Sequence, residues 1–201
     1  MEVGQANLRR DARANRERLL QVAKRLFAEQ GISTTAMAEI ARTAGVGQGT
    51  LYRHFADKNA ICHALIQADL EQFQARIDTM LADPQGEPLW QLEQLIIAKV
   101  DLTESHLPLF AAMDWIPGNK PKPFHGPFHE WLHQRIMAIL QRAVAHGQIA
   151  TQLDLAFMTE TCLAAMTPAL YRYQREDLGF SQARIVQGLS ALFVEALRRH
   201  P

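Results

Sequence analysis

The segment TTAMAEIARTAGVGQGTLYRHFADK, residues 34–58, contains two short helical patterns joined by a tight turn. Apolar residues of the first pattern have helical spacing: Met37, Ile40 and Ala41. This spacing predicts a helix over about 36–44 that lies on a core. Gly45 follows it, and a helix that ends in the left-handed conformation favours a residue without a Cβ. The second pattern predicts a helix over about 48–54, so the segment predicts a helix-turn-helix.

The second helix has one apolar and one polar side. Leu51 and Phe55 lie four residues apart and are predicted to face the core. The other side chains can all donate a hydrogen bond, and none is acidic: Gln48, Thr50, Tyr52, Arg53 and His54. Such a face suits phosphate oxygens and base edges, so we expect this helix to enter the major groove of double-stranded DNA. The alternative is an ordinary polar surface.

These residues resemble the N-terminal domain of TetR-type (TetR/AcrR-like) transcriptional regulators. Four motifs carry the resemblance, in order and at the family's spacing: LLQVAKRLFAEQG at 19–31, TT at 34–35, IARTAGV at 40–46 and GTLYRHFADK at 49–58. They cover about the first third of the chain, and the rest matches the family in being helical and of suitable length. The resemblance implies an all-α protein. It would have a three-helix helix-turn-helix DNA-binding domain at 12–71 and a helical effector-binding and dimerisation domain at 72–201.

Matched position by position, the resemblance implies a DNA-contacting set. Its members are Thr35, Gln48, Gly49, Thr50, Tyr52, Arg53, His54 and Lys58. We expect Gln48 to read a base edge and Arg53 to read guanine or hold a phosphate. The chain departs from the family at two positions. Ala36 stands where a capping Thr or Ser is usual, so Thr35 is expected to cap the first helix of the motif. Gly47 stands where Ser is frequent and predicts a poorer cap.

The charge of the chain is unevenly divided, although 21 Lys and Arg balance 21 Asp and Glu overall. Residues 1–58 hold ten basic and six acidic side chains, whereas residues 59–201 hold eleven and fifteen. A basic N-terminal segment attracts the phosphate backbone and supplies the salt-dependent part of the affinity. The acidic remainder is a poor candidate for binding nucleic acid.

Several classes of protein are disfavoured. No apolar run reaches the roughly 18 residues of a membrane span, and the polar N-terminus is no signal peptide. Cys62 and Cys162 are far apart in helical patterns, which favours buried thiols in a reducing cytoplasm over a disulfide. The sequence has no glycine-rich phosphate loop, nucleophile elbow or HExxH motif. We therefore predict a cytoplasmic protein that is not an enzyme, with no catalytic residue and no cofactor.

The remaining chain predicts helices and no strand. Their expected ranges are about 13–30, 58–81, 88–103, 106–115, 128–146, 155–174 and 182–199. Residues 1–12 are expected to form a mobile arm. Pro168 predicts a kink inside the 155–174 helix, because proline removes a backbone hydrogen bond. Residues 116–127 hold four prolines and two glycines, which predicts a loop.

The family resemblance implies an effector cavity in the second domain. Bulky apolar groups and two histidines are the candidates for its lining: Phe110, Met113, Trp115, His129, Trp131, His133, Phe157 and Met166. Flexible and aromatic side chains suit a hydrophobic or aromatic small molecule. Such groups are also common in an ordinary core, and this alternative stays open.

Three histidines, His125, His129 and His133, step by four residues, with Glu130 beside them. Two histidines at this spacing can coordinate a metal ion. His125, however, precedes the expected helix start, next to Gly126, so a continuous helical stripe is not expected. We therefore predict no metal site. The histidines could instead lie at the mouth of a ligand cavity or on a solvated or dimer-facing surface.

The hypothesis is a ligand-responsive transcriptional repressor that binds a palindromic operator as a homodimer and is released by a small-molecule effector. Small residues in the last two helices permit close approach of helices, and the resemblance implies that these helices pair with their copies. Two alternatives remain. One is a helical small-molecule- or metal-binding protein with a vestigial DNA-binding head. The other is a regulator that needs no ligand and acts through a protein partner.

Overall fold

The computed structural model describes residues 2–114 and 126–198, with the side chains of 10–110 and 126–198. The described residues are helical and contain no strand. The chain divides into two compact units between Ala68 and Asp69. This division lies three residues before the expected domain boundary at 71/72. None of the helices within the described ranges is long and apolar enough to cross a membrane.

Unit 1 is built on four helices. They are α1 (Glu2–Gln30), α2 (Met37–Thr43), α3 (Gln48–His54) and α4 (Lys58–Leu81), of which α4 begins in unit 1 and ends in unit 2. The expected bounds of the last three agree with the structure to within a residue. The expectation for residues 1–12 was wrong from residue 2 onward, because α1 begins at Glu2. Seven of the eleven residues 2–12 are Ala, Arg, Leu, Gln or Glu, which favour helices.

The core of unit 1 fixes α3 on α1 and α2. Leu19, Ile40 and Leu51 are each fully buried, and Phe55 is almost so. α1 packs against both α2 and α3. At the turn, Gly45 adopts a φ of 67°, and the Val46 N–H donates to the Ala41 carbonyl at 3.0 Å. This left-handed helix end sets the angle between the two helices of the motif.

Unit 2 contains six further helices in the described residues. They are α5 (Pro88–Ser105), α6 (Leu107–Asp114), α7 (Pro127–Ala145), α8 (Leu155–Ala165), α9 (Pro168–Arg172) and α10 (Gln182–Phe193). A π-helical segment, Tyr173–Asp177, follows α9, and a short 3-10 helix, Glu195–Leu197, follows α10. α7 packs on α5 and α8, and α10 packs on α5. Leu92, Ile96 and Ile136 lie in the apolar core that these contacts enclose.

The expected single helix over 155–174 is two helices. α8 ends at Ala165, and Pro168 is the first residue of α9 rather than an interior residue of one kinked helix. The Thr167 hydroxyl accepts from the Leu170 N–H at 3.4 Å, so Thr167 caps the new start. Proline suits a first turn because its missing N–H has no intrahelical partner there.

Both cysteines are free and buried, as expected from their patterns. Burial raises the pKa of the Cys62 thiol to about 11 and that of the Cys162 thiol to about 12. A thiol with such a pKa is protonated at neutral pH and is a poor nucleophile. The two side chains therefore serve as small apolar groups.

Glu104 joins α5 to the segment that begins at α9. Its carboxylate accepts from the Tyr171 hydroxyl at 2.6 Å and from two nitrogens of Arg175 at 2.8 and 3.1 Å. The bonds from Arg175 and Tyr171 lower the pKa of Glu104 below its usual value. The partners lie 67 and 71 residues away in sequence, so the cluster holds together parts of unit 2 that are distant along the chain.

Replacing Glu104 with glutamine is expected to lower the free energy of unfolding by about 1–3 kcal/mol at pH 7, because charge-assisted bonds are lost. The folded-state pKa of Glu104 lies below its unfolded value. Its contribution is therefore fully present above the unfolded pKa and is lost as pH falls through the folded pKa. Urea unfolding of both proteins from pH 7 to pH 3.5 should show the difference shrinking in acid. Glu176→Gln, on the exposed side of the π-helical segment, is the control. An equal difference at every pH would contradict this assignment.

Candidate nucleic-acid interface

The polar side of α3 faces solvent. Gln48, Gly49 and Arg53 are exposed, and the Tyr52 ring is 52% exposed. Thr50 and His54 are partly exposed, and Leu51 and Phe55 lie on the buried side. The structure therefore brings six of the eight predicted DNA-contacting residues together on one surface, which we call the α3 face: Gln48, Gly49, Thr50, Tyr52, Arg53 and His54.

Hydrogen bonding orders the end of the α3 face. Arg53 Nη2 donates to Thr50 Oγ1 at 3.0 Å, which holds the guanidinium along the exposed side of the helix. A guanidinium has five N–H donors, so most of them are left for phosphate or a base. No acidic residue occurs in α3. A phosphate that approaches the α3 face therefore meets donors and no carboxylate of this helix.

Arg42 was missed by the sequence analysis. It is exposed in the last turn of α2 and lines, with Gln48, a shallow groove of about 480 Å³ between α2 and α3. Glu39 also lines this groove, but its carboxylate accepts from Gln30 Nε2 at 2.8 Å. The sequence could have predicted this position, because the apolar residues of α2 define its buried side and Arg42 is not among them.

Thr35 requires a correction. It is fully buried, and its hydroxyl donates to the Gly31 carbonyl at 2.8 Å. The N-cap of α2 is Ala36, which makes no side-chain capping bond. Thr35 therefore closes the turn after α1, and its side chain neither caps α2 nor reaches the surface.

Lys58 lies at the start of α4 and already has two acceptors. Its ammonium donates to the Ile32 carbonyl at 2.6 Å and to the Ser33 carbonyl at 3.1 Å. These bonds tie the first turn of α4 to the segment that follows α1. An ammonium has three donors, so one remains for the expected phosphate contact.

The residues predicted to line an effector cavity differ in burial where the structure describes them. Phe110 is partly exposed on α6, while the Met113 side chain and Trp115 lie outside the described residues. Met166 is buried at the end of α8. Phe157 requires a correction, because its ring is 69% exposed and lines no interior cavity of a single chain.

Trp131 belongs to an aromatic cluster with Phe73 and Phe128. The centroids of the three rings are 5.8–5.9 Å apart in each pair. The Arg135 guanidinium lies 5.4 Å from the centroid of the Trp131 ring. Aromatic pairs at such distances stabilise a core beyond their buried area, so packing accounts for Trp131.

His129 and His133 share one carboxylate. Their Nε2 atoms lie 3.8 and 3.3 Å from the oxygens of Glu160 on α8. Within residues 2–114 and 126–198, no group of three or more His, Cys, Asp and Glu is arranged to hold a metal ion. His125 lies outside those ranges. The two imidazoles therefore join α7 to α8 at a partly exposed position.

Comparison with known proteins agrees with the geometry of unit 1. Residues 19–65 match the model of the bacterial regulatory proteins of the tetR family. An HTH-type transcriptional regulator of Staphylococcus aureus strain USA300 is 47% identical over 66 residues, which are 33% of this chain and 36% of the relative. The chain thus spans about a third of the length of the curated relatives it matches.

Solved structures match nearly the whole chain at low identity. A TetR/AcrR-family regulator from Thermobifida fusca has a TM-score of 0.67 at 20% identity, over 92% of this chain and 98% of that one. FadR of Thermus thermophilus, a TetR-family repressor solved with lauroyl-CoA, has a TM-score of 0.67 at 23% identity, over 92% and 97%. These likenesses show a shared all-helical fold. The part of the chain that matches the tetR family of bacterial regulatory proteins is the segment 19–65, which contains the helix-turn-helix.

Proposed function

We propose that the chain is a transcriptional repressor that binds a palindromic operator in double-stranded DNA as a homodimer and is released by a small-molecule effector. The exposed, acid-free α3 face is the observation that carries the proposal. It lies in the part of the chain where basic residues outnumber acidic ones by ten to six. The fixed contact of α3 with the core of unit 1 gives the α3 face a rigid base.

The α3 face divides into base-reading and backbone-binding groups. Gln48, at the first position of α3, reads a base edge, because an amide can pair with adenine through two hydrogen bonds. Arg53 binds guanine or phosphate. The remaining contacts go to the backbone, from Gly49, Thr50, Tyr52, His54 and Lys58. Arg42 joins them from α2, since it borders the groove that begins at Gln48.

Homodimer formation through α8 and α10 is supported by their exposed faces. On α10, Gly188, Ala191 and Leu192 are exposed on one side, and Leu192 is 65% exposed. A Cβ placed at Gly188 would meet nothing within 4 Å in the described residues, so packing within one chain does not require this glycine. Mid-helix glycine costs about 0.5–1 kcal/mol relative to alanine. Close approach of a second copy accounts for it, and the exposed Phe157 of α8 joins the same interface.

Release by an effector would act through α4. This helix begins at Lys58, directly after the α3 face, and ends at Leu81 in unit 2. A ligand that binds unit 2 more tightly in one of two conformations would shift the population of both units. The structural neighbour from Thermus thermophilus was solved with lauroyl-CoA, which supports a small-molecule effector for this chain as well.

Selection of duplexes from a random pool by the purified full-length protein tests the proposal. We expect a palindromic site that binds two protomers. For a protein that neutralises several phosphates, the logarithm of the binding constant should fall linearly with the logarithm of the salt concentration. Fluorescence anisotropy over a salt series and sedimentation of the complex measure both properties. Enrichment of no sequence, together with binding of one protomer, would contradict the proposal.

A further inference from the structure

Lys99 is a buried cation in the middle of α5. Its side chain is 6% exposed, and its ammonium donates to Thr103 Oγ1 at 2.7 Å and to the Met166 carbonyl at 3.4 Å. Both acceptors are neutral groups. A buried charge is stable in a protein when it is paired and hydrogen-bonded, and Lys99 has hydrogen bonds without a charged partner in the described residues.

The acids nearest to Lys99 on α5 are bound elsewhere. Glu104 holds Arg175 and Tyr171, and Asp101 Oδ1 accepts from Gln182 Nε2 at 2.7 Å. Burial alone lowers the pKa of the Lys99 ammonium to about 8, and no described carboxylate opposes the shift. The side chain therefore keeps a positive charge at neutral pH that no described group neutralises.

The position of Lys99 explains how the protein tolerates this charge without a ligand. Met166 follows the last residue of α8, where unpaired carbonyls carry a partial negative charge. That partial charge is smaller than the full negative charge of a counter-ion. A ligand with an anionic group beside Met166 would complete the pairing.

We propose that the effector carries a carboxylate or similar anionic group and that Lys99 binds this group. The inference rests on the proposed function only in placing an effector in unit 2. A carboxylate oxygen would accept the third N–H of the ammonium, beside Thr103 and the Met166 carbonyl. The site would prefer an anionic ligand to a neutral one, because a neutral analogue of the same shape would leave the Lys99 ammonium unpaired.

Matched pairs of acids and amides test the proposal without DNA. The full-length protein is titrated with dodecanoate and dodecanamide, and with 4-phenylbutyrate and its amide, by calorimetry and thermal shift. We expect an acid to bind about 10–100-fold more tightly than its amide, the range of one charge-assisted hydrogen bond. Lys99→Met should abolish this preference and Lys99→Arg should retain it. Lys24→Met, an exposed lysine of α1, should leave it unchanged.

Three outcomes would overturn the proposal: equal affinity for acid and amide, an unchanged preference in Lys99→Met, or no acid-dependent shift in any pair. The acid–amide comparison uses the unaltered protein, so it holds even if Lys99→Met fails to fold. Operator binding is measured separately. A protein that binds its operator but shows no preference for acids would refute the role of Lys99 and leave the DNA-binding function intact.

Discussion

Replacing Gln48 and Tyr52 together with alanine is expected to weaken operator binding about 100-fold or more at fixed salt. A base-edge contact by an amide is worth about 1–3 kcal/mol of discrimination, and a hydrogen bond to a charged phosphate about 1.5–3 kcal/mol. Losing both removes about 3 kcal/mol or more, and each 1.4 kcal/mol is a tenfold change in affinity. Anisotropy titration of a labelled operator measures the change.

The controls separate contact from stability. Gln21→Ala replaces an exposed glutamine of α1, away from the α3 face, and should leave binding unchanged. Gln48 and Tyr52 are exposed, and substitutions at exposed positions are usually within about 0.5 kcal/mol in stability. The double variant should therefore unfold at nearly the urea concentration of the unaltered protein. Operator affinity within twofold of the unaltered protein would refute the assignment of the α3 face.

Single substitutions should divide the α3 face further. Gln48→Ala is expected to relax the choice of base at one position of each half-site. Tyr52→Phe keeps the ring and removes the hydroxyl. It should therefore lower the affinity for every DNA sequence by a similar factor. The difference in behaviour follows from the two kinds of contact, because phosphates are the same in every sequence and base edges are not.

Local signals in the sequence predicted much of the fold. Asp57, Asp154 and Ser181 belong to the residue types that cap helices, and each accepts from the backbone N–H three residues on. A cap depends on a few neighbouring residues, and for this reason it can be read from sequence. The bounds of α3 and α4 follow from the same short-range rules.

Long-range partners could not be predicted. Nothing in the spacing of Lys58 shows that its ammonium reaches the Ile32 carbonyl, 26 residues earlier. Spacing likewise does not show that Glu104 accepts a hydrogen bond from Arg175, 71 residues later. The burial of Thr35 was missed because a hydroxyl can cap a helix or close a turn with equal chemistry. Helical periodicity placed Phe157 on one side of its helix but could not show that this side is exposed in a single chain.

Leu51→Ala is expected to lower the free energy of unfolding of unit 1 by about 2–5 kcal/mol, the usual cost of removing a buried leucine side chain. Leu51 is fully buried beneath the α3 face, so the cavity would loosen the base on which the face is held. Hydrogen exchange of the α2 and α3 amides, with urea unfolding, measures the loss. Leu178→Ala, at a leucine that is 44% exposed in unit 2, is the control.

Operator binding by Leu51→Ala should fall although no DNA-facing group is removed, because α3 would no longer be held in one orientation. Lower temperature should restore part of the affinity, as the folded fraction of unit 1 rises. The Gln48 and Tyr52 double variant should show no such recovery, since its lost groups are absent at every temperature. If Leu51→Ala kept full protection of α3 from exchange and still lost binding, the buried side of α3 would have a role other than support.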